Sequence, residues 1–165
     1  MDERGYVLVE GDYICGASGI DVRVVIINVY APCFSKEKVL LWREIESKLT
    51  NVNYLTKCVI DNFSLVRDAS ERKGTNDELV NNREIDRFRE FIEVCALKDI
   101  PVVGRKFTWY RPNGKARSRL DRVLISDEWL VYWPSSKQYV LSRQVSDHCA
   151  IVVKNSISYW GPKPF

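Results

Sequence analysis

The sequence predicts an α/β fold, two sheets packed together with helices outside, and three observations predict it. Short segments rich in valine and isoleucine recur along the chain, two stretches between them carry apolar residues at helical spacing, and an apolar run, Ala150 to Val153, follows the only histidine, His148, after a single cysteine. With 165 residues, 45% hydrophobic and 12% aromatic, the chain has the material for one domain with a substantial core. The formal charge of +3 is too small to announce a nucleic-acid binder by bulk electrostatics, so such a function has to rest on where the basic residues sit. Five cysteines, an odd number without Cys-x-x-Cys spacing or paired histidines, argue against a disulfide framework and a zinc site and fit a reducing compartment. No charged segment followed by an apolar core opens the chain, and no apolar run approaches the ~18 residues of a membrane span. The expectation is a soluble, intracellular protein, nuclear or cytoplasmic, with no membrane contact and no disulfide partner.

Taken in order, Tyr6 to Glu10 and Asp12 to Cys15 are strand candidates, and Gly11 between them reads as the turn of a hairpin. Val22 to Tyr30 alternates only weakly and is rich in Val and Ile, so it reads as a central strand buried on both faces, closed by Pro32, which cannot extend a ladder. Tyr30 is the last residue before that break, where it either reaches over the sheet rim or packs on its neighbours. Val39, Trp42, Ile45 and Leu49 stand at steps of three, three and four with Lys, Arg and Glu between them, which predicts an amphipathic helix over 36 to 49 capped by Ser35. Lys57 to Ile60 begins a further strand that runs into Asp61, Asn62, Phe63 and Ser64. Arg67 to Asn82 is charged, contains glycine and lacks an apolar period, which predicts a long surface loop. From Arg83 to Ala96 the helical spacing returns, with Ile85, Phe88, Phe91 and Cys95 as core residues.

Beyond Pro101, Lys106 to Tyr110 reads as a strand, Arg111 to Ser118 as a turn around Pro112, Asn113 and Gly114, and Leu120 to Ile125 as the returning strand of a second hairpin. Between Arg111 and Arg122 five basic residues (Arg111, Lys115, Arg117, Arg119, Arg122) stand against one acid, Asp121, with Trp109 and Tyr110 at the entrance. Cations neutralise phosphates and aromatics stack on bases, so this hairpin either contacts nucleic acid or is a solvated basic loop. Ser126 reads as the cap of a short helix through Tyr132, ended by Pro134, and Tyr139 to Leu141 and Cys149 to Val153 are the closing strands. No repeat or boundary divides the chain.

The stretch Ser146, Asp147, His148 carries the chemistry. An imidazole titrates near neutral pH and a carboxylate beside it fixes its tautomer or steadies its charged form, so an Asp-His pair at a strand start suits general-base work. Taken alone, a loop histidine is more often structural or solvated.

Four segments in a fixed order, Asn28 to Pro32 (NVYAP), Phe107 to Trp109 (FTW), Ser118 to Arg122 (SRLDR) and Ser146 to His148 (SDH), resemble the endonuclease/exonuclease/phosphatase superfamily, whose members include deoxyribonuclease I and the abasic-site endonucleases. The resemblance runs from about Val22 to Phe165 and is nearest to the endonuclease domain of plant LINE-type retrotransposons, through Glu71 to Gly74 (ERKG) and the closing Trp160 to Phe165 (WGPKPF). It implies a four-layered α/β/β/α sandwich of the deoxyribonuclease I type, a divalent cation, usually magnesium, DNA as substrate, hydrolysis of a phosphodiester by in-line attack of water, and a reverse transcriptase downstream on the same polyprotein. Carried over by resemblance, His148 would polarise the water or stabilise the phosphate, Asp121 would orient the imidazole, Asp147 would bind or position the metal, and Tyr30 would contact the scissile phosphate. The hairpin adds Trp109, Arg117 and Arg119 as nucleic-acid contacts. Attack on an anionic phosphate needs a cation for the developing charge and a base for the proton, so the set is chemically coherent.

Two departures predict impaired catalysis. The superfamily reads Gly-Asp-Phe-Asn where this chain has Asp61-Asn62-Phe63-Ser64, so Asn62 stands at the catalytic Asp and Ser64 at the Asn. An amide neither takes up a proton nor supplies negative charge. Asp61 is adjacent, but neighbouring strand residues point to opposite faces, which predicts that it cannot substitute without a register shift. The upstream Asn and the Glu that serves as main metal ligand have no counterpart in the 21 residues before Val22, so the chain reads as a single, N-terminally truncated domain over 1–165, with 154–165 leading out of it. The expectation is a magnesium-dependent endonuclease-like domain of reduced activity; the alternatives are a dead remnant that at most binds nucleic acid, or a phosphatase of the same superfamily.

Overall fold

A computed structural model of the chain describes residues 5–15, 20–50, 56–74 and 82–155. Its centre is a mixed sheet of five strands, in the order β1 (Tyr6–Cys15), β2 (Ile20–Tyr30), β3 (Thr56–Asn62), β9 (Asp121–Ser126) and β5 (Leu97–Asp99). β3 runs parallel to β2, and every other pairing in this sheet is antiparallel. Alternation along the strands sorts the side chains onto two faces. One face carries Val25, Ile27 and Val29 of β2, Val59 of β3 and Leu124 of β9 against two helices, α1 (Ser35–Thr50) and α2 (Asn82–Val94). The helices present Leu41, Trp42, Ile45 and Leu49, and Phe88, Phe91 and Ile92. Phe63, the first residue after β3, is fully buried in this core, with its ring centroid 5.8 Å from Trp42 and 5.2 Å from Phe88. Burial of a side chain of that size is worth roughly 1.5–3 kcal/mol and pins the strand end that carries Asn62.

The opposite face of the central sheet meets a second sheet, ordered β11 (Ile151–Asn155), β10 (Ser136–Val140), β6 (Val102–Gly104). Cys58, Val123 and Ile125 pack there with Trp129 of α3 (Asp127–Tyr132) and with Ile151 and Val153. A small third sheet joins β4 (Arg72–Lys73), β8 (Arg117–Ser118) and β7 (Trp109–Tyr110) at the rim. Helices, sheet and sheet are stacked as the α/β sandwich that the sequence predicts. Among the described residues no helix is long and apolar enough to cross a membrane.

Several expectations need correction. Tyr6 to Cys15 is one strand and not a hairpin: Gly11 sits in the ladder opposite Val24, and the partner strand is β2. β2 is central, yet its second face is only partly covered, with Ile26 37% and Tyr30 57% exposed. Ser35 is the first residue of α1, and its hydroxyl donates to Glu84 instead of capping the helix; Lys38 and Leu41 replace Val39 in the buried stripe. Lys38 is tolerated there because its Nζ lies 3.2 Å from Glu84 Oε2. α2 ends at Val94, before Cys95, and Ala96 takes the left-handed conformation (φ 53°) that terminates helices. The region 67–82 is no plain loop: a 3-10 turn over Ala69–Glu71 and strand β4 occupy part of it, while 75–81 lie outside the described residues, as does Trp160 to Phe165. The second hairpin pairs β7 with β8, Trp109 opposite Ser118 and Tyr110 opposite Arg117; Leu120 to Ile125 instead feeds the central sheet. Ser126 stands at the N-cap of α3 without a capping bond, since its Oγ accepts from Lys57 N at 3.1 Å.

Candidate functional site

β3 and β9 end at the same rim with Asn62 opposite Asp121, and the site is built on that pair. Asp121 is 2% exposed. Its backbone is held on three sides: Thr108 Oγ1 accepts from Leu120 N and Asp121 N, both at 3.0 Å, and Gln138 Nε2 donates to the Asp121 carbonyl at 3.2 Å. Gln138, fully buried on β10, also accepts from Val123 N at 3.0 Å, so the second sheet locks the start of β9. Thr108 carries a second connection. Its carbonyl accepts from Cys149 N at 2.7 Å, Tyr110 N donates to the Asp147 carbonyl at 2.9 Å, and His148 is thereby set opposite Trp109.

The result is an imidazole seated on a buried carboxylate. His148 Nδ1 lies 3.0 Å from both oxygens of Asp121. With Nδ1 as donor, Nε2 is the lone-pair nitrogen of the neutral ring, the atom able to accept a proton. The Asp121 hydrogen bond holds the imidazole pKa above its usual value, reinforced by the charges of Asp121, Asp147 and Asp61 and opposed by burial.

Asp147 is exposed and fixed from behind. Trp109 Nε1 donates to its Oδ2 at 2.8 Å, and this bond, ahead of the nearby imidazole, holds its pKa below the usual carboxylate value. Asn62 turns inward: its Oδ1 accepts from Ser64 N at 2.8 Å, a local turn that puts Ser64 at φ 53°. Asp61 departs from the expectation. Strict alternation would send it to the helix face with Val59, but its φ of 99° breaks the alternation, and it lines the same cleft as Asn62 and His148. Asn28 Nδ2 donates to its Oδ2 at 3.2 Å. Burial raises the Asp61 pKa, the Asn28 bond lowers it, and the Asp121 charge raises it again. The cleft holds about 1100 Å³ and is lined by Tyr30, Asp61, Asn62, Ser64, Arg72, Trp109, Asp121, Asp147 and His148 among others.

The basic hairpin divides. Arg122 is 0% exposed because on β9 it shares the helix face with Leu124; its guanidinium lies 6.0 Å from the Phe88 ring and bonds Asp99 Oδ2 at 2.6 Å and Glu71. Arg119 pairs with Asp99 Oδ1 at 2.7 Å and Glu71 Oε1 at 3.4 Å, so both cations are internally neutralised. Arg119 is therefore no free phosphate contact. Arg117 is exposed, with its guanidinium 5.0 Å from the Phe107 ring.

The resemblance implies magnesium, and these donors bear on whether it fits. Among the described residues no three His, Cys, Asp or Glu side chains come together to hold a metal ion. Both Asp121 oxygens face His148, Asp147 Oδ2 is engaged by Trp109, Asn62 Oδ1 by Ser64 N, and Asp61 Oδ2 by Asn28. Among the described residues, then, the donors do not make a site for the ion.

The site residues Tyr30, Asn62, Ser64, Asp121, Asp147, His148 and Trp109 expected from the sequence all line the cleft. The sequence assigned nothing to Thr108, Gln138 or Asn28. Thr108 and Asn28 lie inside the FTW and NVYAP segments, so their presence was visible and only their roles were not; Gln138 shows as a lone amide in a closing strand.

No protein-family model and no curated protein matches the sequence. Solved structures do match. The catalytic domain of APE2 from Xenopus laevis aligns with a TM-score of 0.64 at 12% identity, over 89% of this chain and 54% of that one. An endonuclease/exonuclease/phosphatase family protein from Bacteroides thetaiotaomicron gives 0.50 at 17% identity, over 90% of this chain and 54% of that one. Another from Leptotrichia buccalis C-1013-b gives 0.51 at 13% identity, over 94% and 72%. The chain thus spans about half the length of the first two. What it shares with them is architecture: this is the α/β sandwich of the endonuclease/exonuclease/phosphatase structures.

Proposed function

We propose that the cleft receives a phosphodiester of DNA and hydrolyses it with reduced power, in a domain derived from a LINE-type retrotransposon with a reverse transcriptase downstream. The observation that carries this reading is the Asp121–His148 pair, 3.0 Å apart, facing a cleft in which the ladder partner of Asp121 is an amide, Asn62. Neutral His148 can take a proton from water at Nε2, and Asp121 stabilises the imidazolium that forms. Asn62 can do neither, and the loss of one acid or base group costs on the order of a hundredfold to ten-thousandfold in rate. Tyr30, 57% exposed at the mouth, and Trp109 offer ring surfaces to a nucleotide, which favours DNA over a small phosphate ester. The ordered NVYAP, FTW, SRLDR and SDH segments, with ERKG, favour the retrotransposon endonucleases over the phosphatases of the superfamily.

Nicking of supercoiled plasmid, in buffer with and without added magnesium, tests it. The wild type is expected to nick slowly, His148→Ala not at all, and Asn62→Asp at least about a hundredfold faster than the wild type. Nicking that survives His148→Ala overturns the assignment of the cleft. Retention of DNA with no nicking by any variant would favour the dead, binding-only remnant.

A further inference from the structure

The ERKG segment contributes one residue that the proposed chemistry leaves unused. Arg72 stands second in it, on β4, and lines the cleft together with Asn62, Asp121 and His148. Its backbone is tied down twice: Arg72 N donates to the Ala69 carbonyl, and Arg72 pairs with the buried Ser118 in the β4–β8 ladder. Two residues on, Gly74 takes φ 73° and passes so close to the hairpin that a Cβ there would meet Lys115 O at 1.7 Å, so only glycine lets β4 lie where it does.

Arg117, on the paired strand β8, is exposed with its guanidinium over the Phe107 ring, and three other arginines are committed to carboxylates. Arg67, Arg119 and Arg122 all bond Asp99, and the last two also bond Glu71. Arg119 and Arg122 each leave a buried Nε without an acceptor, but their terminal nitrogens are satisfied. Arg72 has a buried Nε with no acceptor and no carboxylate partner among the described residues. A guanidinium is always charged and presents donors in a planar fork that matches a phosphate, so one held unpaired at the wall of a cleft is a site for an anion.

We propose that Arg72 is the phosphate-recognising cation of this cleft, bonding a non-bridging oxygen of the DNA phosphodiester that lies against His148. This rests on the reading of the cleft as a phosphodiester site and supplies what the internally paired Arg119 does not.

The test is binding of a short fluorescent DNA duplex, read by anisotropy across a salt series, for the wild type, Arg72→Met, Arg72→Lys and Lys48→Met. Lys48 lies in the last turn of α1, so its loss matches the charge change without touching the cleft. Arg72→Met is expected to weaken binding roughly tenfold at low salt and to flatten the log–log salt slope by about 0.9, the value of one phosphate contact. Arg72→Lys, which keeps the charge and much of the stem packing, is expected to keep the wild-type slope and fall between the two in affinity. Lys48→Met should match the wild type. If Arg72→Met binds like Lys48→Met, Arg72 is not the contact, while the cleft assignment stands if the wild type still binds and nicking still needs His148. If the wild type does not bind the duplex at all, both readings fall. Should Arg72→Met fail to fold, Arg72→Lys decides: an affinity below the wild type supports recognition by the Arg72 guanidinium, and a wild-type affinity would refute it.

Discussion

Asp61 occupies a backbone conformation that glycine takes more cheaply, and replacing it should make the protein more stable. Its φ is 99°, where an L side chain costs on the order of 1–3 kcal/mol. Asp61→Gly relieves that strain and removes a carboxylate that burial already disfavours. Against this stand the lost bond from Asn28, 3.2 Å long and exposed, worth about 1 kcal/mol at most, and the greater freedom of glycine in the unfolded chain, about 0.5–1 kcal/mol. With strain in the middle of that range the balance is a gain of up to about 1 kcal/mol, or a Tm rise of at most roughly 2–4 °C for a chain of this size. Asp61→Ala is the control, since it removes the same carboxylate and hydrogen bond but leaves a Cβ at positive φ; it should fall below Asp61→Gly by about 1 kcal/mol or more. The charge contributes separately. Because the folded-state pKa is raised, the folded protein binds the Asp61 proton more readily, and wild-type stability falls as pH rises from 3.8 through that raised value. The advantage of Asp61→Gly over the wild type should therefore be larger at pH 7 than at pH 3. Urea unfolding of the three proteins at both pH values measures all of this, and glycine no more stable than alanine would refute the strain.

Other consequences follow from the same contacts. His148 has a pKa raised above 6.5, so its pairing with Asp121 contributes fully below pH 6.5 and is lost as pH climbs through the raised value; Asp121→Asn should lower the His148 titration midpoint in proton NMR and flatten that decline in stability. Thr108→Val strips two backbone donors, Leu120 N and Asp121 N, of their shared acceptor and should cost roughly 2 kcal/mol or more in urea unfolding, while Thr108→Ser costs less. Arg122→Met leaves Glu71 and Asp99 short of one cation inside the protein and should destabilise by about 3–5 kcal/mol; a loss below 1 kcal/mol would mean that the network is not held as described.

Periodicity was enough to find the helices and the central strands, because Trp42, Ile45, Leu49, Phe88 and Phe91 are buried by their own apolar surface. It failed where burial depends on pairing between charges. Glu71, Arg119 and Arg122 are all polar in sequence, so a loop and a basic hairpin were expected, yet they bond one another beneath the 3-10 turn and leave Arg72 facing the cleft. Alternation on β9 already separates Asp121 from Arg122, and applied to Asn62 against Asp121 it puts both at one rim. For Asp61 the same rule failed, since a single positive φ redirects a side chain without changing the register. Gly11 misled in the opposite direction: a glycine between two apolar runs marks a turn only if the chain reverses there, and here the long ladder with β2 carries it straight through.

The chain's single histidine makes the central claim directly measurable. Titrating a short DNA duplex into the protein while following the His148 ring protons by NMR should move those resonances saturably and raise the imidazole pKa further, as an added anion beside it requires. A duplex that binds while His148 keeps its free-protein shift and pKa would place the DNA elsewhere and contradict the account.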